Sequence, residues 1–144
     1  MLKQQTRLRV RLYARLSKDD GDADKESNSI KNQLQMLRYN AKEKGFIVVG
    51  EYVDDGYSGT TFNRPDLNRM IKDAMEDTEP SGIMVKDMSR FGRNNAMFMY
   101  YVEEIFPNND ILFIALNDDV DTRFDENEMM PFKSIMNEYY ARDT

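Results

Sequence analysis

The chain has 144 residues, 40% hydrophobic and 32% charged, with no cysteine, no histidine and a net charge of −6. Such a chain forms about one domain and hides roughly two-thirds of its unfolded surface, which excludes a disordered polypeptide. The missing residue types exclude a disulfide framework, thiolate or histidine metal sites and every Ser-His-Asp triad.

No apolar run approaches membrane-spanning length, and the N-terminus lacks the apolar stretch of a signal peptide. A cysteine-free composition fits a reducing cytoplasm. The acidic balance weighs against a broad nucleic-acid face, whose phosphates call for cations. That weight is small, because net charge acts at long range and the arginines here are concentrated in a few loops.

Residues 7–16 alternate, with Leu8, Val10, Leu12 and Ala14 against Arg9, Arg11, Tyr13 and Arg15. This predicts a strand with one buried face. Residues 18–25 form a charged loop. Its DGDAD run begins like a calcium loop, but Lys25 stands where the turn glycine belongs and Lys31 where the closing glutamate belongs. Ser27 or Ser29 caps a helix running to about Lys44, with Ile30, Leu34, Leu37 and Ala41 on its apolar face and Gly45 ending it.

Residues 46–53 read as a second strand, followed by the surface loop DDGYSGTTFNRP. Pro65 opens a helix whose inward positions are Leu67, Met70, Ile71, Ala74 and Met75. Pro80, Ser81 and Gly82 read as a turn, Ile83, Met84 and Val85 as a short buried strand, and residues 86–95 as a polar loop. A helix with Met99, Val102, Ile105 and Phe106 inward ends near Pro107. Residues 111–116 form a fourth strand and residues 117–125 an acidic loop. From about Glu128, Met129, Phe132, Ile135, Met136 and Tyr139 recur at helical spacing. The eleven methionines fall mostly at core positions.

Strands alternating with helices predict an α/β fold, a three-layer sandwich around a mostly parallel sheet. Sites in such sheets lie beyond the carboxyl ends of the strands. The loops after the first three strands carry Ser17, Arg64 and the pair Arg90 and Arg93. Arg15 and Ser17 share a strand face at period two. A hydroxyl nucleophile beside a planar, permanently charged guanidinium suits attack on a phosphate. Singly, each of these residues reads as a solvated loop side chain. Gln33, off the apolar face of its helix, reads as exposed, and Asp54-Asp55 as turn chemistry.

Four stretches in order resemble the catalytic domain of the serine recombinases, the resolvase/invertase and serine integrase family. YARLS resembles the opening motif, with Arg15 and the nucleophile Ser17. SNSIKNQ resembles the segment carrying a glutamine, here Gln33. DGYSGTTFNRPDL matches the D-x-x-S-G-x-x-x-x-R loop, with Asp55, Ser58, Gly59 and Arg64. KDMSRFGRN matches the D/S-R-x-G-R loop, with Ser89, Arg90, Gly92 and Arg93. Ser89 stands where small resolvases carry aspartate; serine there is similar to the large serine recombinases of integrative elements and transposons.

The resemblance implies site-specific recombination of double-stranded DNA through a 5′-phosphoseryl intermediate, with no cofactor and no metal. Ser17 is then the nucleophile, Arg15, Arg64, Arg90 and Arg93 handle the phosphate, and Gln33, Asp55, Ser58, Lys86 and Ser89 support them. It also implies that residues 1–144 are a catalytic domain cut near the start of a long dimer helix, with DNA-binding domains beyond, and that the parent assembles as a dimer or tetramer. An alternative reading is a phospho-receiver or flavodoxin-like signalling domain using Asp19, Asp20 and Lys86. A non-catalytic DNA-binding module is a third, opposed by the acidic charge.

Overall fold

The computed structural model describes residues 7–17, 29–58, 63–92 and 95–123. Five strands form one sheet in the order β2-β1-β3-β4-β5. They are β1 (Arg9–Leu16), β2 (Ile47–Asp55), β3 (Ser81–Val85), β4 (Ile111–Ala115) and β5 (Val120–Asp121). The first four are parallel and β5 runs antiparallel to β4. The fold is thus the expected α/β one with a mostly parallel sheet.

Period-two alternation divides the sheet between two cores. Val10, Leu12, Met84 and Ile114 point to one side and pack with Leu37 and Ala41 of α1 (Ile30–Glu43). Tyr13, Ile83, Val85 and Phe113 point to the other and pack with Leu67, Met70, Ile71 and Ala74 of α2 (Pro65–Glu76). Phe91 of the short helix α3 (Met88–Phe91) sits in that second core, edge-on to Phe98 and Phe113 with centroids 5.1 Å away in each case. Phe98 belongs to α4 (Asn95–Tyr100), which continues as a π-helical turn over Tyr101–Ile105 and closes with α5 (Phe106–Asn108).

Several expectations change. β1 is buried on both faces, because it is central and helices cover both sides. Ser81 and Gly82 are strand rather than turn, since β3 pairs with β1 from Arg9↔Ser81 onward. The polar loop after β3 contains α3, and the acidic loop after β4 contains a 3₁₀ turn (Leu116–Asp118) and β5. Met75 faces solvent. The expected helix from Glu128, the charged loop at 18–25 and the Ser27 cap lie outside the described residues; Ser29 caps α1, its hydroxyl accepting the Asn32 amide at 3.1 Å. Among the described residues no helix is long and apolar enough to cross a membrane.

The strand order places β1 at the reversal point. The chain leaves β1 for β2 on one side and returns across it to β3 on the other. The crevice beyond the carboxyl ends of β1 and β3 is where open parallel sheets hold their ligands. Ser17 follows β1 there, and the segment from Lys86 to Gly92 follows β3.

Candidate active site

β1 outruns β3 by three residues, since their pairing ends at Tyr13↔Val85 while β1 continues beside β2 to Leu16↔Asp55. Arg15 therefore lies past the end of β3. Its backbone partners come from side chains instead. Gln33 Oε1 accepts the Arg15 amide at 3.2 Å, and the Arg15 carbonyl accepts from Gln33 Nε2 at 3.0 Å and from Arg90 Nη1 at 3.1 Å. The exposed Gln33 read from helical spacing is thus corrected: the side chain is fully buried and clamps β1 two residues before Ser17. Ser17 itself is 5% exposed.

The Arg15 guanidinium is fully buried and reaches both the loop after β2 and the short helix α3. Nε donates to the Arg90 carbonyl at 3.2 Å, Nη1 to the Tyr57 carbonyl at 3.0 Å and Nη2 to the Ser89 carbonyl at 2.8 Å. Arg64, also fully buried, donates from Nη1 to the Arg90 carbonyl at 2.8 Å and from Nη2 to the Phe91 carbonyl. The two guanidiniums together hold three successive carbonyls at the C-terminal end of α3. Cations suit the carbonyl end of a helix, where the backbone dipole is negative.

α3 carries Arg90, 7% exposed, whose Nε lies 3.6 Å from Asp87 Oδ1. Ser89 is half-buried, and its hydroxyl donates to the same carboxylate oxygen. Asp118 Oδ2 accepts the Met88 amide at 2.7 Å and fixes the other end of α3. Lys86 and Ser58 are half-buried at the ends of β3 and of the loop after β2. Asp55 is exposed, and Gly56 turns the chain out of β2 with φ of 91°, a conformation that suits glycine. Arg93, Gly59, Asp19 and Asp20 lie outside the described residues.

Two functional-looking residues escaped the sequence reading. Asp54, taken as turn chemistry, is 2% exposed and lies on the same β2 face as Tyr52. Its Oδ2 accepts the Tyr13 hydroxyl at 2.7 Å and the Leu67 amide at 2.9 Å, while Oδ1 accepts the Asp66 amide at 3.0 Å. Tyr13 in turn accepts from Arg64 Nη1 at 3.3 Å. Burial raises the Tyr13 hydroxyl above the usual tyrosine range, with Asp54 adding to the effect and Arg64 opposing it. Burial likewise pulls Arg64 below the arginine norm, with Tyr13 and Asp54 countering. The period-two register of Tyr52 and Asp54 was the available signal. Among the described residues no cluster of carboxylates fit to hold a metal ion is present.

What the arrangement provides is a buried hydroxyl at the end of the switch strand, with three guanidiniums, from β1, the residue before α2 and α3, tied together on the same sheet edge. The family model for the resolvase N-terminal domain matches residues 10–144. The N-terminal catalytic domain of TP901-1 integrase is similar at 28% identity, covering 93% of this chain and 97% of that one, with a TM-score of 0.74. A resolvase family site-specific recombinase from Streptococcus pneumoniae is similar at 25% identity, covering 94% and 90%, with a TM-score of 0.72. The C-terminal catalytic domain of ISC1926 TnpA, an IS607-like serine recombinase, shares the fold at 24% identity, covering 76% and 70%, with a TM-score of 0.63. No curated protein sequence matches the chain. The chain belongs to the resolvase N-terminal domain family, and is a serine recombinase catalytic domain for site-specific DNA recombination.

Proposed function

We propose that Ser17 is the nucleophile that cleaves the DNA strand. Its Oγ bonds to the scissile phosphorus as the bond to the 3′ oxygen breaks. The serine loses its proton and the departing oxygen gains one, leaving a 5′-phosphoseryl chain and a 3′ hydroxyl. Reversal of the attack on an exchanged strand rejoins the DNA, and the ester keeps the energy of the phosphodiester. One observation carries this reading: Ser17 is buried at the carboxyl end of β1, two residues after Arg15, whose carbonyl Gln33 and Arg90 hold. Spread negative charge on a phosphoryl transition state is stabilised by fixed cations. Arg15, Arg90 and Arg93 are the residues read as meeting it, with Arg64 on the phosphate or leaving-group side. Gln33, Ser58, Lys86, Ser89 and Asp55 support the loops.

The substrate in this reading is double-stranded DNA at the recombination site of a mobile element. The chain acts as the catalytic domain of a longer cytoplasmic recombinase that works as a dimer or tetramer. In the full-length protein, Ser17→Ala binds site DNA and yields no covalent protein–DNA adduct on a denaturing gel. An adduct that persists in this variant rules the assignment out. The signalling-domain alternative gains nothing from a half-buried Lys86 at the end of β3.

A further inference from the structure

We infer that Asp54 and Tyr13 form a buried positioning pair for Arg64, and through it for the α3 segment that carries Arg90. The inference rests on the serine-nucleophile reading and adds two residues to it.

α2 begins at Pro65, directly after Arg64, and Arg64 supplies no side-chain cap to its own helix. The cap comes from β2 instead. Asp54 accepts the amides of Asp66 and Leu67, the second and third residues of α2, and a carboxylate is the favoured partner at the positive end of a helix dipole. The contact is reciprocal, because Asp66 Oδ2 accepts the Val53 amide at 2.9 Å. Strand and helix are thereby pinned at the residue where Arg64 enters the site.

Asp54 also fixes the polarity of Tyr13. An ionised carboxylate only accepts, so the Tyr13 hydroxyl must donate to it, and the oxygen lone pairs are left for Arg64 Nη1. The guanidinium carbon lies 5.7 Å from the centre of the Tyr13 ring, within cation–π range. Held in this way, Arg64 directs its remaining donors at the carbonyls of Arg90 and Phe91. The order of influence is Asp54, Tyr13, Arg64, then α3. Neither Asp54 nor Tyr13 needs to touch DNA; both are fully or almost fully buried.

The test is single-turnover cleavage by the full-length protein at saturating site DNA, with DNA affinity measured in parallel. Tyr13→Phe keeps the ring and its packing and removes only the hydroxyl. Cleavage is expected to fall at least ten-fold while affinity changes less than two-fold. The loss should disappear in an Arg64→Lys background, because residues that act as one unit are not additive. Asp54→Asn, which keeps the shape and removes the charge, should show the same pattern and carries the test if Tyr13→Phe fails to fold. Wild-type cleavage by both variants overturns the inference, as does a Tyr13→Phe loss that multiplies fully with that of Arg64→Lys. Adduct formation by the wild type keeps the two readings apart: if the wild type forms none, the nucleophile reading falls and this inference with it, whereas a normal wild type with unaffected variants removes only the positioning pair.

Discussion

Gln33 grips the Arg15 peptide on both of its polar groups, taking the amide at 3.2 Å and donating to the carbonyl at 3.0 Å. It does for β1 what β3 would do if β3 were longer. A backbone amide left buried without a partner costs about 1–3 kcal/mol. Gln33→Leu is therefore expected to lower unfolding stability in urea by about that amount. The Arg15 carbonyl keeps its Arg90 contact, so the fold should survive. Cleavage should suffer more than stability, because Ser17 follows the loosened peptide by two residues. A variant with unchanged urea midpoint and full cleavage would show that the clamp is dispensable.

The layered architecture was legible because hydrophobic period and turn chemistry agree along most of the chain. α1, α2 and the first four strands all fall where Leu37, Ala41, Leu67, Met70, Ile83 and Phe113 demand burial. The errors share a cause. Polar residues at core positions look like surface residues until their partners are known, and those partners are distant in sequence. Arg11, Tyr13 and Arg15 made β1 look half-exposed, yet helices cover both faces and each of these side chains hydrogen-bonds inside the fold. Gln33 and Asp54 were misjudged in the same way. Asp55, the aspartate that the motif selects, is exposed, whereas its neighbour Asp54 is buried. β5 is two residues long, too short for any periodic signal.

At the opposite end of the sheet, Asp77 ties α2 to β1. It accepts from Arg9 Nη1 and, at 3.0 Å, from Arg11 Nη2, while Arg11 also reaches Ser81 Oγ at 3.3 Å. Burial by itself would raise the Asp77 carboxyl, but the Glu79 amide and the two arginines outweigh it and hold the group at about 2. A carboxyl lowered in the folded state stabilises fully above its unfolded value near 4. That contribution should shrink as pH falls from about 5 towards 2. Asp77→Asn is expected to lose about 1.5–3 kcal/mol at pH 7, the range for hydrogen bonds to charged groups, and to flatten the acid limb of a stability–pH curve. Unchanged acid sensitivity in the variant would contradict this.

Arg38 and Glu51 offer the contrast. Their paired bonds are both 2.6 Å long, shorter than the 3.0 Å Arg11 contact, yet the Arg38 side chain is 52% exposed. Exposed pairs contribute about 0.2–1 kcal/mol and are weakened by salt. Glu51→Gln should therefore move the thermal midpoint less than Asp77→Asn does, and less still in 0.5 M salt. An effect as large as that of Asp77→Asn would mean that burial does not set the strength of these pairs.

Arg90 joins the two halves of the site. Nη1 holds the Arg15 carbonyl at 3.1 Å, and Nε faces Asp87 at 3.6 Å. Those two contacts leave from different nitrogens of one planar fork, which a lysine ammonium on a flexible stem cannot reproduce. Arg90→Lys is thus expected to reduce single-turnover cleavage by about 10²–10³-fold, as loss of a preorganised donor at a reacting centre does. Arg90→Ala should be little worse. Measuring affinity across a salt series separates this role from simple phosphate binding. A residue that only neutralises one backbone phosphate leaves cleavage intact once DNA is saturating, and its loss lowers the slope of log affinity against log salt by about 0.9. Arg90→Lys keeps the charge, so its slope should stay near that of the wild type while its cleavage collapses. Near-normal cleavage by the lysine variant at saturating DNA would reduce Arg90 to a phosphate contact.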